Sequence, residues 1–311
     1  PDGDHAYLAA HSQDAVALLS RNTTTGALTY VESYTDATIN ALYCLVVSPD
    51  GKHVYLINYQ DNRVLWFSRN SSTGSLTLVD NYTDLNIEGA DYVAISPDGA
   101  HVYVAAYDAA AVAWFSRNDS TGDLSYVGRY THADLNGTTA VSVSPDGSHV
   151  YVTSSLTHTV AWFTRNTTTG ELTYVDKYSN VNIYGASNVA PFPDGGTVYV
   201  TAQNGDAVAW FSRSSATGAL TYVDRYTSAT NIEEPWYVVV SQDGLNAYVS
   251  GRSSDSIAWF SRDLTTGALT YMDAYTDLNI DGAYGVALSV DDEQVYVAAV
   301  DAHAVAWFTR E

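Results

Sequence analysis

Helical patterning, cysteine, lysine and long apolar runs are what this sequence has least of. No segment keeps apolar residues at a 3.6-residue period, so helices are not expected. The single cysteine, Cys44, allows no internal disulfide and leaves the redox compartment open. Lysine occurs only at positions 52 and 177, and 13 basic residues against 35 acidic ones leave a net charge of −22. Such a balance disfavours nucleic acid and anionic membrane as partners, because both need clustered Lys and Arg. No apolar run approaches the roughly 18 residues of a membrane-spanning helix, so no membrane insertion is expected. No G-x-G-x-x-G, P-loop, H-E-x-x-H, C-x-x-C or G-x-S-x-G element occurs.

What the sequence has instead is one unit, repeated. The turn at its head recurs at Pro1, Pro49, Pro97, Pro145, Pro193, Gln242 and Val290, at intervals of 48 residues with one of 49. A fixed period of roughly 20–50 residues marks a solenoid, a propeller or an array. Each unit divides into four short runs rich in Val, Tyr, Trp, Phe and Thr with turn residues on both sides, which read as strands. Four antiparallel strands in a unit of this length make the blade of a β-propeller. The expected order outward from the axis is Ala140–Ser144, Val150–Thr153, Val160–Arg165 and Leu172–Val175. Small aliphatic residues suit the narrow centre, and Trp and Tyr suit the wider gaps outside it. Trp66, Trp114, Trp162, Trp210, Trp259 and Trp307 are therefore expected between blades, with Leu18 in their place in the first copy.

The whole chain, 1–311, reads as a single all-β domain. Residues 1–35 supply three strands without an innermost one, five complete blades follow, and about 283–310 supplies three strands without an outermost one. Twenty-six strands result, two short of seven blades, and the missing outermost and innermost strands would be consecutive. The expectation is seven four-stranded blades with an incomplete seam, closed by about 25 residues lying before Pro1, after Glu311 or on another molecule. Six blades with two surplus strands is the alternative.

The motif SPDGxHVYV followed by VAWFSRNxxTGxLTYV resembles the YVTN and lactonase-type seven-bladed propellers, which include 6-phosphogluconolactonase-like and muconate-cycloisomerase-like proteins. The resemblance spans the chain. It implies the propeller fold, and it implies Arg, His and Glu placed asymmetrically at one mouth of the ring in the family's enzymes. No such set matches here position by position, so it assigns no catalytic residue in this chain.

Several features invite a functional reading beside a structural one. An Asp and an Arg lie nineteen residues apart in every copy, from Asp2/Arg21 through Asp98/Arg117 to Asp291/Arg310. They are expected to pair within a blade, a bidentate contact tying two of its turns. His5, His53, His101 and His149 begin the second strand where later copies have Thr197, Asn246 and Gln294, a polar hydrogen-bonding position rather than a metal set. Cys44 reads as a small buried hydrophobe aligned with Val93, Val141 and Val189. The loops Asp84–Gly89 and Asp277–Gly282 match the first half of a D-x-N-x-D-G calcium loop but lack its closing acid, and Asx-rich turns explain the same letters. The copies at Asp36–Thr38 and Asn180–Asn182 are further degraded. Calcium is the one metal the pattern suits, and no cofactor is required. Asn22, Asn70, Asn118 and Asn166 stand in N-x-S/T sequons at one recurring hairpin turn and are glycosylation candidates, although Asn, Thr and Gly are also good turn formers.

Near-identical repeats, acidity and sequons together favour a secreted, non-catalytic module binding protein or carbohydrate at a microbial cell surface, with self-assembly into a polymer as an extension. A lactonase-like or cycloisomerase-like enzyme is the alternative. Asymmetry at one mouth of the ring separates the two, and Arg63, Arg252, His158, His303, Glu233, Glu234 and Trp236 are the deviations to follow.

Overall fold

In the computed structural model, residues 2–36 and 39–310 are described; Pro1, the 37–38 part of the first acidic loop and Glu311 lie outside them. They form seven separate antiparallel sheets, five of four strands and two of three. The ring is seven-bladed, as the repeat count required. Blade four runs outward through Thr138–Val143, His149–Ser154, Thr159–Arg165 and Leu172–Ser179, each strand paired to the next. The order is the expected one; the outermost strand extends to Ser179, beyond the limit that the sequence suggested. Blade one holds only His5–Ala10, Ala15–Arg21 and Leu28–Thr35, and blade seven only Ala283–Leu288, Gln294–Ala299 and Ala304–Thr309. Among the described residues the helical content is six 3-10 turns of three residues each.

The core lies between blades. Trp66 of blade two packs with Val102, Val104, Phe115 and Leu124 of blade three, and the same contact recurs from Trp114, Trp162 and Trp210 into the blades that follow. A β-bulge after every such Trp, as between Trp114 and Phe115, lets the outermost strand twist away from the sheet. Tyrosines seal the outer edge of each gap. Tyr82 meets Phe115 edge-on at 5.0 Å and stacks on Tyr126 at 5.7 Å, an arrangement repeated at Tyr130/Tyr174, Tyr178/Tyr222 and Tyr226/Tyr271.

The Asp–Arg pairs exist, but between blades. Arg117 reaches back to Asp50 of blade two, with Nη2 2.9 Å from Oδ2, and not to Asp98 of its own blade. Its Nε donates to the Tyr55 hydroxyl, Nη2 also meets His53 Nδ1, and Nη1 donates to the Gly99 carbonyl at home. Tyr55 in turn donates to the Gly122 carbonyl. The nineteen-residue spacing does bring the arginines to their own turns, but there Arg21, Arg69, Arg117, Arg165 and Arg213 meet the Gly carbonyl and Arg310 meets the Asp292 carbonyl. The long side chain then crosses the narrow gap to the neighbouring blade, where the carboxylate, the phenol and the strand's first side chain converge. Arg21, Arg69, Arg165, Arg213, Arg262 and Arg310 repeat the step, and Arg21–Asp291 (2.7 Å) joins blade one to blade seven and closes the ring.

The histidines find their role here. His53, His101 and His149 each face the next blade's arginine through Nδ1. Thr197, Asn246 and Gln294 offer Arg262, Arg310 and Arg21 a side-chain oxygen at the same place, so His is exchangeable with any acceptor. Burial and the adjacent guanidinium hold the pKa of these three histidines below the usual range.

Candidate functional site

All seven Arg–Asp contacts lie on the face where the first and second strands meet in the P-D-G turn. The opposite face carries the starts of the innermost strands and the ends of the second strands, and there the repeats stop resembling one another. Strand pairing fixes the alignment: Leu45 opposes Leu56 as Val93 opposes Val104. Leu45, not Cys44, is therefore the counterpart of Val93, Val141 and Val189. Cys44 corresponds to Tyr92, Ala140, Asn188, Tyr237 and Gly285, one of two columns that vary freely around the axis. Its burial is as expected, and burial pushes the thiol up to about 12.

The other column is Tyr43, Asp91, Thr139, Ser187, Trp236 and Tyr284. These six residues, with Tyr92 and Tyr237, line a cup at the mouth of the axial channel. The room it encloses for a water centre is about 10 Å³, enough for one water molecule. Anything larger must approach from above. Trp236 stacks obliquely on Tyr284 (4.8 Å), Tyr284 meets Tyr237 edge-on (5.6 Å), and Tyr43 stacks on Tyr59 (5.0 Å), so the walls are aromatic.

The hydroxyls of the cup hold the channel together. Thr139 Oγ1 donates to the Ala186 carbonyl (2.9 Å) and Ser187 Oγ to the Pro235 carbonyl (2.8 Å), each tying one innermost strand to the next. Committed in this way, neither is free to act as a nucleophile. Asp91 is different. It makes no hydrogen bond or ion pair with any described residue, and burial, reinforced by the negative charge of Asp108, raises its pKa to about 8. Burial, reinforced by the charge of Asp91, raises the pKa of Tyr43 and Tyr284, and Arg252, half-buried on blade six, lies close enough for its charge to offset part of that rise. The buried indole N–H of Trp236 has no acceptor among the described residues.

Four of the seven deviant residues cluster on this side of blade six. Glu233 and Glu234 sit on the loop leading to Trp236, Glu234 accepts from Ser253 Oγ (2.6 Å), and its carbonyl accepts from the Arg252 backbone N–H. The remaining three do not join them. His158 Nδ1 accepts from Gly185 N–H (3.1 Å), the bond that Asn62, Asp206 and Asp255 make in other blades, so this histidine is a loop anchor. Arg63 donates to Thr83 at the blade edge, and His303 lies exposed at the seam. Asp91 was missed because it stands alone in its column. A gap-free alignment of the innermost strands would have shown an acid among Tyr, Thr, Ser and Trp.

The remaining candidates lie away from the mouth. Asp84 and Asp277 each accept from the backbone N–H two residues on (2.8 Å in both) and so cap a 3-10 turn, whose Ile87 or Ile280 is buried. Gly89 follows at φ 65° and Gly282 at φ 68°, a region that favours glycine. Among the described residues no three His, Cys, Asp or Glu side chains are grouped to hold a metal ion. Asn22, Asn70, Asn118 and Asn166 are exposed, and each Oδ1 accepts from the backbone N–H groups two and three residues on in its hairpin.

Residues 1–136 and 131–240 match the family described as lactonase, seven-bladed β-propeller. Among solved structures, a putative 6-phosphogluconolactonase from Bacteroides uniformis superposes with TM-score 0.87 at 17% identity, covering 99% of this chain and 93% of that one. A second, from Bacteroides fragilis, gives 0.82 at 20% identity over 95% and 86%. The periplasmic gluconolactonase of Pseudomonas aeruginosa gives 0.80 at 18% over 95% and 88%. The sequence matches no curated protein. The family match overturns the reading of a non-catalytic structural or binding module at a cell surface. That reading took the near-identity of the repeats as a property of the whole molecule. It holds on the face of the P-D-G turns but fails at the axial mouth, where the residues differ from blade to blade.

Proposed function

Since the chain belongs to the family of seven-bladed β-propeller lactonases, we propose that it hydrolyses a lactone at the mouth of the axial channel, with Asp91 moving the proton. The observation that carries this reading is a carboxyl group without partners, in an aromatic cup with room for one water, at a pKa of about 8. A general base works best when its pKa lies near the operating pH.

Hydrolysis at this site needs three things. A water must lose a proton as its oxygen bonds to the lactone carbonyl carbon, and the Asp91 carboxylate takes that proton. The carbonyl electron pair moves onto oxygen, where the positive charge of Arg252 is the available stabiliser. The carbonyl then re-forms, the ring C–O bond breaks, and the Asp91 carboxyl returns its proton to the leaving alkoxide. The product is an open hydroxy acid. Thr139 and Ser187, already donating to backbone, keep the strands in place and take no part in the transfer. The aromatic walls suit the apolar face of a sugar ring, and gluconolactone-type substrates are the first to try.

The test is hydrolysis of D-glucono-1,5-lactone above its spontaneous rate, followed by pH-stat. The enzymatic rate is expected to rise with pH through about 8 and then level. Asp91→Asn is expected to abolish it with the fold intact. Full activity in that variant would overturn the assignment.

A further inference from the structure

Charge is divided unevenly between the two faces of the ring. Of the thirteen basic residues, the seven arginines that clamp blade to blade lie on the face away from the cup, with Lys52 in the turn beside Asp50. Arg129 and Arg225 donate to the carbonyls of Leu85 and Val181 in two of the 3-10 turns, and Lys177 pairs with Asp134 in a third. These three stand on outermost strands, and Arg63 donates to Thr83 at the blade edge. Arg252 is the one cation left at the cup among the described residues.

The acids are placed the other way. Glu88 precedes Asp91 by three residues, and Glu233 precedes Trp236 and Asp281 precedes Tyr284 by the same step. Three of the six cup positions are therefore reached past a carboxylate, where the other strands have Asn40, Asn136 and Tyr184. Asp108 and Asp301 join them from the adjacent turns, seated against Gly89 and Gly282, where a Cβ would collide with their carboxylates. The charges act on one another. Besides burial, Asp108 raises the pKa of Asp91, and Asp255 and Asp301 raise that of Asp281.

We propose, on the reading of this cup as a lactone hydrolase, that it takes a lactone carrying no charge: the acidic rim turns away phosphorylated sugar lactones and drives out the carboxylate that ring opening makes. Phosphate is held by guanidinium forks or ammonium groups, and the one guanidinium at the cup is the group that meets the charge developing on the carbonyl oxygen. Carboxylates gathered around a cleft set up a potential of several kT, which repels an approaching anion and is screened by salt. A neutral ring feels none of this and meets the aromatic walls. A cationic ring would be drawn to the rim but would meet Arg252 inside it. Hydrolysis turns the neutral ring into an anion, so a field indifferent to the substrate acts on the product.

The test compares D-glucono-1,5-lactone with its 6-phosphate, in EDTA so that no divalent cation bridges phosphate to the rim. At low salt kcat/KM is expected to be about 10²-fold lower for the phosphorylated lactone, and about 0.5 M NaCl should close most of that gap while leaving the neutral lactone unchanged. Glu88 and Glu233 are exposed, and their carboxylates make no hydrogen bond or ion pair with a described residue. The double variant Glu88→Lys with Glu233→Lys should raise kcat/KM for the phosphorylated lactone about tenfold and strengthen inhibition by gluconate, with neutral turnover unaffected. Equal kcat/KM for the two lactones at low salt would overturn the proposal, as would a double variant that changes neither phosphorylated turnover nor gluconate inhibition. A second readout needs no turnover. Quenching of Trp236 emission, taken as the difference between the chain and Trp236→Phe, should be about fivefold stronger with caesium than with iodide once each is scaled to its quenching of free N-acetyltryptophanamide. Iodide quenching as strong as caesium quenching would overturn the proposal whatever the enzyme hydrolyses. A caesium preference without hydrolysis of either lactone would support the charge selection and sink the catalytic reading alone.

Discussion

The two faces of the ring are made from the same strands and obey different rules. On one, an Arg, an Asp, a Tyr and a hydrogen-bond acceptor recur around the circle with only the acceptor changing between His, Thr, Asn and Gln. On the other, Tyr43, Asp91, Thr139, Ser187, Trp236 and Tyr284 occupy one position in six blades with hardly a repetition. The first face solves one mechanical problem seven times, since each blade must hold its neighbour. The second surrounds a single axis, where six innermost strands contribute to one place and identical contributions would make no asymmetric site. In a propeller, then, repetition points to structure and its failure points to chemistry.

The largest effect that would break this comparison lies at Asp91. Asp91→Asn should lower lactone hydrolysis by about 10²–10⁴-fold, the usual contribution of a positioned acid or base. The same change should leave the melting temperature unchanged or higher, since it removes a carboxylate held in an unfavourable place.

Next comes the blade interface. Trp210→Ala should cost about 3–5 kcal/mol in denaturant unfolding, because a buried indole leaves a cavity between blades five and six. Arg117→Ala should fall near the lower end of roughly 3–5 kcal/mol, the cost of leaving one partner of a buried ion pair behind, because Asp50 keeps contact with water. Activity per folded molecule should survive in both. Loss of activity without loss of stability in Arg117→Ala would erase the distinction between the faces.

Stability should also depend on pH with opposite signs on the two faces. Hydrogen bonds from Ser, Arg and backbone groups outweigh burial at Asp50, Asp98 and Asp146 and hold their carboxyls at about 2. A depressed folded pKa gives stability that is present above the unfolded value of about 3.9 and is lost as pH falls toward 2. Urea midpoints should therefore drop between about pH 4 and pH 2. Asp91 is raised, so its contribution is present at low pH and is lost as pH rises through about 8. In Asp91→Asn the midpoint should decline less between about pH 4 and pH 8, the interval over which the unfolded carboxyl has lost its proton and the folded one keeps it. The smallest effect is expected at the open edge: Trp307→Ala should change stability by about 0.5 kcal/mol or less, as exposed substitutions do. A cost like that of Trp210→Ala would mean that the edge is already covered in solution.

Much of this was legible in the sequence because the blade is a local object. Its strands are consecutive, its turns use glycine and Asx chemistry, and its period repeats often enough to count blades and to locate the gap at the seam. Trp66, Trp114, Trp162 and Trp210 lie between blades, as expected from the wider gaps outside the narrow axis. What went astray involved a second blade or a shift of one position. Arg117 was matched to Asp98, nineteen residues before it, while its carboxylate comes from 67 residues away. Cys44 was aligned one residue off, and in a strand a one-residue slip exchanges one face for the other.

By itself, then, the sequence determined the fold class, the number of blades, the strand order and the unfilled seam, because these follow from patterns inside each repeat of about 48 residues. Only the tertiary structure decided which blade each arginine grips, where Cys44 points, and that Asp91 stands with Tyr43, Trp236, Tyr284 and Arg252 at one mouth. Those residues are scattered from position 43 to position 284. They meet because closing the ring turns six distant innermost strands toward a common axis, and no pattern within a single repeat encodes that convergence.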